Sequence, residues 1–247
     1  MYTPPNTQLS SEIKSSKQRR LLLMGPPKWG KTWAALTFPN PIVIDFDRGL
    51  TEIKTPVPAL PFWDDEWCKK TFASQTKKMN MLTAWLKTEG MKLGEDQTLV
   101  FDSLSTISDV LAIELEAATP TNKAGEKDGF WFWKEWSNYL RSLHVLINSL
   151  KCNVVMCCHE QEIRDSETGR VTAYKWLLKG QDFSARLGQY YTDVFRQTKL
   201  SKENAQDKTV SCEYVWQVQP DNMFQLCCTR IQTNKKFVPA TFASFGV

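Results

Sequence analysis

Short apolar runs recur along this chain at residues 20–24, 42–46, 98–101 and 153–158, each nearly unbroken by polar alternation. Such runs suit strands covered on both faces, the pattern of a buried parallel sheet. Between them the spacing turns helical. Residues 33–36 predict a helix that Pro39-Asn40-Pro41 stops. Residues 64–87 predict another, with Asp64 as a cap, and residues 105–116 a third. Residues 133–149 predict a long helix on which Trp133, Trp136 and Leu140 share a face, and residues 182–187 a short one. Pro56, Pro58 and Pro61 predict a loop, as do the polar residues 118–129. Residues 162–181 form a charged excursion, a hairpin turning near Glu167-Thr168-Gly169-Arg170, and residues 193–197, 210–218 and 224–231 read as later strands. The order β-α-β-α-β-α-β followed by strands predicts an α/β fold: a mostly parallel sheet flanked by helices, with additional C-terminal strands. Residues 1–17, polar with Pro4-Pro5 and several serines, predict a flexible tail, leaving residues 18–247 as a single domain.

Composition narrows this picture only modestly. With 42% hydrophobic and 23% charged residues in 247, the chain has an ordinary globular balance. No apolar run approaches a membrane span and the N-terminus does not read as a signal peptide, so the expectation is no membrane partner and a cytoplasmic location. Seven cysteines include no C-x-x-C, and the adjacent pairs Cys157-Cys158 and Cys227-Cys228 lie in apolar stretches. Neighbours on a strand point to opposite faces, which predicts buried reduced thiols rather than disulfides or zinc ligands. A net charge of +4 permits a polyanionic partner without demonstrating one.

The candidate chemistry begins at Gly25-Pro26-Pro27-Lys28-Trp29-Gly30-Lys31-Thr32, which fits G-x-x-x-x-G-K-[ST] between the first strand and the helix at Trp33. Chance produces this pattern in about one chain of this length in a hundred. Glycines let successive N–H groups face one anion, Lys31 reaches the β- and γ-phosphates, the Thr32 hydroxyl ligates Mg²⁺, and the following helix points its N-terminus at the phosphates. ATP and Mg²⁺ are therefore the expected ligands, held by residues 25–33. Asp102 ends an apolar strand, where such folds carry the carboxylate of the metal site, although a helix cap is the bland alternative. Ser103 follows it, not Glu, so the general base must come from elsewhere. Asp47 is the candidate, against a turn-forming role with Gly49. His159-Glu160 ends the strand at residues 153–158, beside the same crevice, and suits a γ-phosphate sensor or a plain structural role.

Together, G-P-P-K-W-G-K-T, I-D-F-D-R-G-L, L-V-F-D-S-L and C-C-H-E resemble the RecA-type ATPase core. They are most similar to the phage-encoded ATP-binding proteins of the Sak/RecA-like annealing and recombination group. The resemblance implies that Lys31 and Thr32 bind phosphate and Mg²⁺, and that Asp102 serves the metal site. Asp47 stands where the family usually carries a catalytic Glu, one methylene longer, and His159 or Glu160 stands at the sensor position. It also implies a homo-oligomer, ring or filament, in which a basic residue reaches the neighbouring ATP. Arg230 is the candidate there, with Lys235 or Lys236 as substitutes, although the family's Lys-x-Arg pattern reads Cys228-Thr229-Arg230 here. Single-stranded DNA and a phage single-strand-binding protein are the implied partners.

Single-strand binders combine basic grooves with aromatic faces on which bases stack. Arg164, Arg170, Tyr174, Lys175, Trp176 and Lys179 interleave in that way after the sensor strand, although Glu162, Asp165 and Glu167 dilute the charge. Residues 123–136 offer a second mixture, with Phe130, Trp131, Phe132, Trp133 and Trp136 among lysines, where core or subunit packing is the competing use. The leading reading is a DNA-stimulated, Mg²⁺-dependent ATPase in phage recombination, annealing or replication. Its rivals are a nucleotide-gated scaffold or loader with negligible turnover, a small-molecule P-loop kinase, and a packaging or helicase motor.

Overall fold

The computed structural model describes residues 18–203 and 210–246, so the expected tail at residues 1–17 lies outside the described residues. In chain order the elements are β1 (Arg20–Gly25), α1 (Lys31–Ala35), β2 (Pro41–Asp45), β3 (Ala59–Pro61), α2 (Asp65–Thr71), α3 (Lys78–Thr88), β4 (Thr98–Asp102) and α4 (Leu104–Ala118). They continue with α5 (Gly129–Asn148), β5 (Asn153–Arg164), β6 (Val171–Trp176), α6 (Gln181–Arg186), β7 (Asp193–Glu203), β8 (Val210–Gln217) and β9 (Phe237–Pro239). The sheet runs β3-β2-β4-β5-β1-β7-β8-β9, parallel from β3 to β7 and antiparallel thereafter, with β6 paired to the outer half of β5. This is the mostly parallel α/β sheet with late added strands that the apolar pattern predicts.

Alternation along the buried strands divides the core into two clusters. Leu22, Met24, Ile44, Phe101, Met156 and Cys158 face α2 to α6. Leu21, Leu23, Val43, Val100, Val155 and Cys157 face α1, Trp216 and the C-terminal turn at Phe242–Phe245. Cys157 and Cys158 thus point to opposite faces, both buried as free thiols. Two-sided burial is why these strands read as continuous apolar runs.

Several elements depart from their sequence reading. The helix expected over residues 64–87 is two, α2 and α3, and Asp64 caps the first by accepting the N–H groups of Glu66 and Trp67. The proline-rich loop contains β3, a three-residue edge strand that tolerates Pro61 because an edge position needs fewer ladder donors. α5 starts earlier, at the Asp128 cap, and β5 runs on past the core to build the hairpin with β6. Residues 224–231 are not a strand; they pair with the sheet through an isolated Val194–Cys228 bridge and otherwise pack against it. Among the described residues, no helix is long and apolar enough to cross a membrane.

Candidate nucleotide site

Register brings the site together. Asp45 lies opposite Asp102 across β2 and β4, and Gly25 lies opposite His159 across β1 and β5. All four therefore sit on one rim, at the carboxyl ends of parallel strands where α/β sheets bind ligands. From that rim the chain curls through Lys28 and Gly30, at φ of 61° and 79°, before α1 starts at Lys31. Gly30 suits this turn on two counts. Its φ is left-handed, and a Cβ there would stand 3.2 Å from the Tyr214 ring. Because α1 has only five residues, the anion cradle is the loop backbone itself rather than a long helix. Trp33, expected among the cofactor-binding residues, is 57% exposed and lines a groove with Leu36, Val57 and Pro58.

Lys31 is 5% exposed, and its ammonium donates to the carbonyls of Gly25 and Pro26 at 3.0 and 2.8 Å. It also stands 3.4 Å from His159 Nδ1. A lysine has no acceptor, so Nδ1 accepts in that contact and Nε2–H donates to Asp47 Oδ2, 3.0 Å away. Lys31, His159 and Asp47 thus form one polar chain across the rim.

Thr32 donates its hydroxyl to Asp102 Oδ2 at 2.7 Å. Burial pushes the Asp102 carboxyl up to about 6; the Thr32 hydrogen bond and the Lys31 charge oppose this, while Asp47 and Asp45 reinforce it. A Cβ on Gly49 would come within 2.9 Å of Asp102 Oδ2, so the backbone after Asp47 passes directly over this pair. Two hard oxygen donors suit Mg²⁺, which takes its remaining ligands from phosphates and water.

Asp45, not singled out as a site residue in the sequence, shapes the turn. Its Oδ1 accepts the backbone N–H groups of Asp47 and Gly49 at 3.1 and 3.3 Å, and burial raises its carboxyl. That turn presents Asp47 to His159. Burial alone would raise the Asp47 carboxyl, but the His159 hydrogen bond and the Thr106 and Ser103 hydroxyls outweigh it and hold the group low. Asp47 Oδ1 is buried and meets no partner in hydrogen-bond geometry. Ser103 and Thr106 therefore act on it as nearby dipoles rather than through formed bonds.

Glu160 is committed elsewhere. Both its oxygens accept from Arg196 of β7, at 2.8 and 3.0 Å, and the guanidinium lies 3.6 Å from the Tyr174 ring centroid. Arg196 was hidden in the sequence because its partner is 36 residues away, and only the strand order makes them neighbours. The expected nucleic-acid residues divide accordingly. Trp176 is 4% exposed and donates to the Ser184 carbonyl, so it offers no face to a base, and Tyr174 is covered by Arg196. Arg164 pairs with Glu162 and bonds the Gly169 carbonyl, and Lys179 pairs with Asp109, while Arg170 and Lys175 are exposed. Phe130 and Trp133, at 81% and 45% exposed, flank a groove of about 610 Å³ with Lys134 and Arg141. Arg230 is exposed beside Asp193, which accepts its backbone N–H at the start of β7, the end of the sheet opposite the phosphate loop. Lys236 pairs with Asp221, and Lys235 is exposed.

No curated protein matches the chain. Among solved structures, the crystal structure of the RadB recombinase is similar at 15% identity, with a TM-score of 0.35, over 80% of this chain and 87% of that one. A family described as an AAA domain matches residues 17–225, a span that takes in the phosphate loop and every strand end just described. The chain belongs to this AAA domain family of P-loop ATPases.

Proposed function

We propose that the chain binds ATP with Mg²⁺ at the rim formed by β1, β2, β4 and β5 and hydrolyses it. The observation that carries this reading is the convergence of Lys31, Thr32, Asp102, Asp47 and His159 on one crevice. Lys31 exchanges its two carbonyl partners for phosphate oxygens. Thr32 and Asp102 would hold Mg²⁺, which when bound neutralises charge on the phosphates. Asp47, with an unfilled buried Oδ1, orients the attacking water, and His159 holds its other oxygen while contacting Lys31. His159 is then the residue that senses the γ-phosphate, because loss of the Lys31 contact frees its Nδ1. The test is Lys31→Ala: loss of both ATP binding and phosphate release supports the reading, and survival of both rules it out.

In the same reading, copies of the chain assemble and bind single-stranded DNA. Phe130 and Trp133 are the aromatic faces open to bases, with Lys134 and Arg141 beside them and Arg170 and Lys175 on the hairpin. Arg230, remote from its own phosphate loop, serves only a neighbouring copy. Phosphate release measured with and without single-stranded DNA across a salt series tests this half. Stimulation that fades steeply with salt supports it; a flat, unstimulated response sinks it. A nucleotide-gated scaffold is the second reading, favoured by the engagement of Asp47 with His159. Tight ATP binding with no phosphate release would select it.

A further inference from the structure

We propose that Trp29 and Tyr214 form the platform on which the base of the bound nucleoside triphosphate stacks, with Lys199 as its accompanying cation. This rests on the ATP site proposed above and extends it to the nucleoside end. The groups that face the metal and the water come from β2, β4 and β5, all on one side of β1. A triphosphate lying on the loop therefore directs its nucleoside towards the other side, where β7 and β8 stand. β7 follows β1 only as far as the Met24–Arg196 pair, and beyond it the β7–β8 ladder continues past the rim. Lys199 and Tyr214 face each other across that ladder.

This extension rests on the phosphate loop. The Tyr214 ring packs against Gly30, 3.2 Å from where a Cβ would stand, yet Tyr214 remains 42% exposed. The Lys199 ammonium lies 5.2 Å from the Trp29 ring centroid and 5.1 Å from that of Tyr214, so one cation spans a loop residue and a hairpin residue. Ring faces that hold a cation also hold a planar base, and the displaced ammonium remains within the reach of a lysine stem to meet the phosphate charge. Core packing explains neither the exposure of Tyr214 nor the placing of a cation between two rings.

The experiment is calorimetric titration of the full chain with ATP and, separately, with inorganic triphosphate, both with Mg²⁺. It compares the wild type with Tyr214→Ala, Tyr214→Leu and Tyr214→Phe. Tyr214→Ala and Tyr214→Leu should weaken ATP roughly ten- to a hundredfold, the range of one base–aromatic stack, and leave inorganic triphosphate unchanged. Tyr214→Phe should bind both as the wild type does. Tyr214→Leu keeps the bulk over Gly30, so the outcome does not depend on Tyr214→Ala remaining folded. Equal losses for both ligands, or no loss for either, would overturn the platform and leave the ATP site standing. A wild type that binds neither ligand would remove the ATP site itself.

Discussion

At the scale of single residues, two carboxylates on one rim, Asp102 buried and Asp47 partly buried, divide the work by environment. Asp47 is held charged by the groups around it, whereas burial disfavours the charge on Asp102. Asp47→Asn should therefore leave ATP affinity within a few-fold and lower phosphate release by about 10²- to 10⁴-fold, the usual contribution of a positioned base. Single-turnover phosphate release beside equilibrium nucleotide titration checks it. Asp102→Asn should act in the opposite sense on stability. It keeps an acceptor for the Thr32 hydroxyl but removes a buried charge, so the ligand-free protein should melt higher at pH 7, while Mg²⁺ should no longer tighten ATP binding. Thermal melts with and without Mg²⁺-ATP separate the two effects.

At the scale of elements, the Glu160–Arg196 pair ties β5, β7 and the β5–β6 hairpin one residue past His159. Glu160→Ala leaves a guanidinium largely shielded from water and unpaired, and should cost about 3 kcal/mol in denaturant unfolding. Hydrogen exchange should then rise first in β6. The elements also mark where sequence was informative. Strands buried on both faces were legible because local burial dictates their composition, and the phosphate loop because its backbone geometry demands particular residues. Arg196, Asp45 and Lys199 were not, since each acquires its role from partners supplied by the strand order. Residues 224–231 are apolar enough for a strand, but Phe224 and Cys227 are buried by packing on the sheet rather than by joining it. Trp176 looked like a stacking residue until its indole N–H found Ser184 in the fold.

At the scale of the whole molecule, two opposed burials contribute to stability against pH. His144 stands on α5, its ring nitrogens 2.7 Å from the Leu140 carbonyl and 2.9 Å from the Tyr191 hydroxyl, and burial lowers it from 6.5 to about 4. Between those values the unfolded chain binds the extra proton, so this group removes stability as pH falls. Asp102, raised from 3.8 to about 6, takes its proton in the folded state first and adds stability over nearly the same window. Each contribution is on the order of 3 kcal/mol, so the wild type should be nearly flat between pH 6 and pH 4.5 from these two groups. Denaturant unfolding at pH 7, 5.5 and 4.5 should show stability rising on acidification in His144→Leu and falling in Asp102→Asn. Parallel profiles in all three proteins would count against this balance.

The two rims of the main sheet carry a consequence for assembly. β3 and β9 are three residues each, and both end in proline, at Pro61 and Pro239. Backbone at such rims is too short and too poor in N–H donors to template another chain. Contacts between copies at these two edges would therefore run through side chains, and contacts of that kind can loosen and reform. An assembly joined by continuous hydrogen-bonded strands would be locked against such exchange.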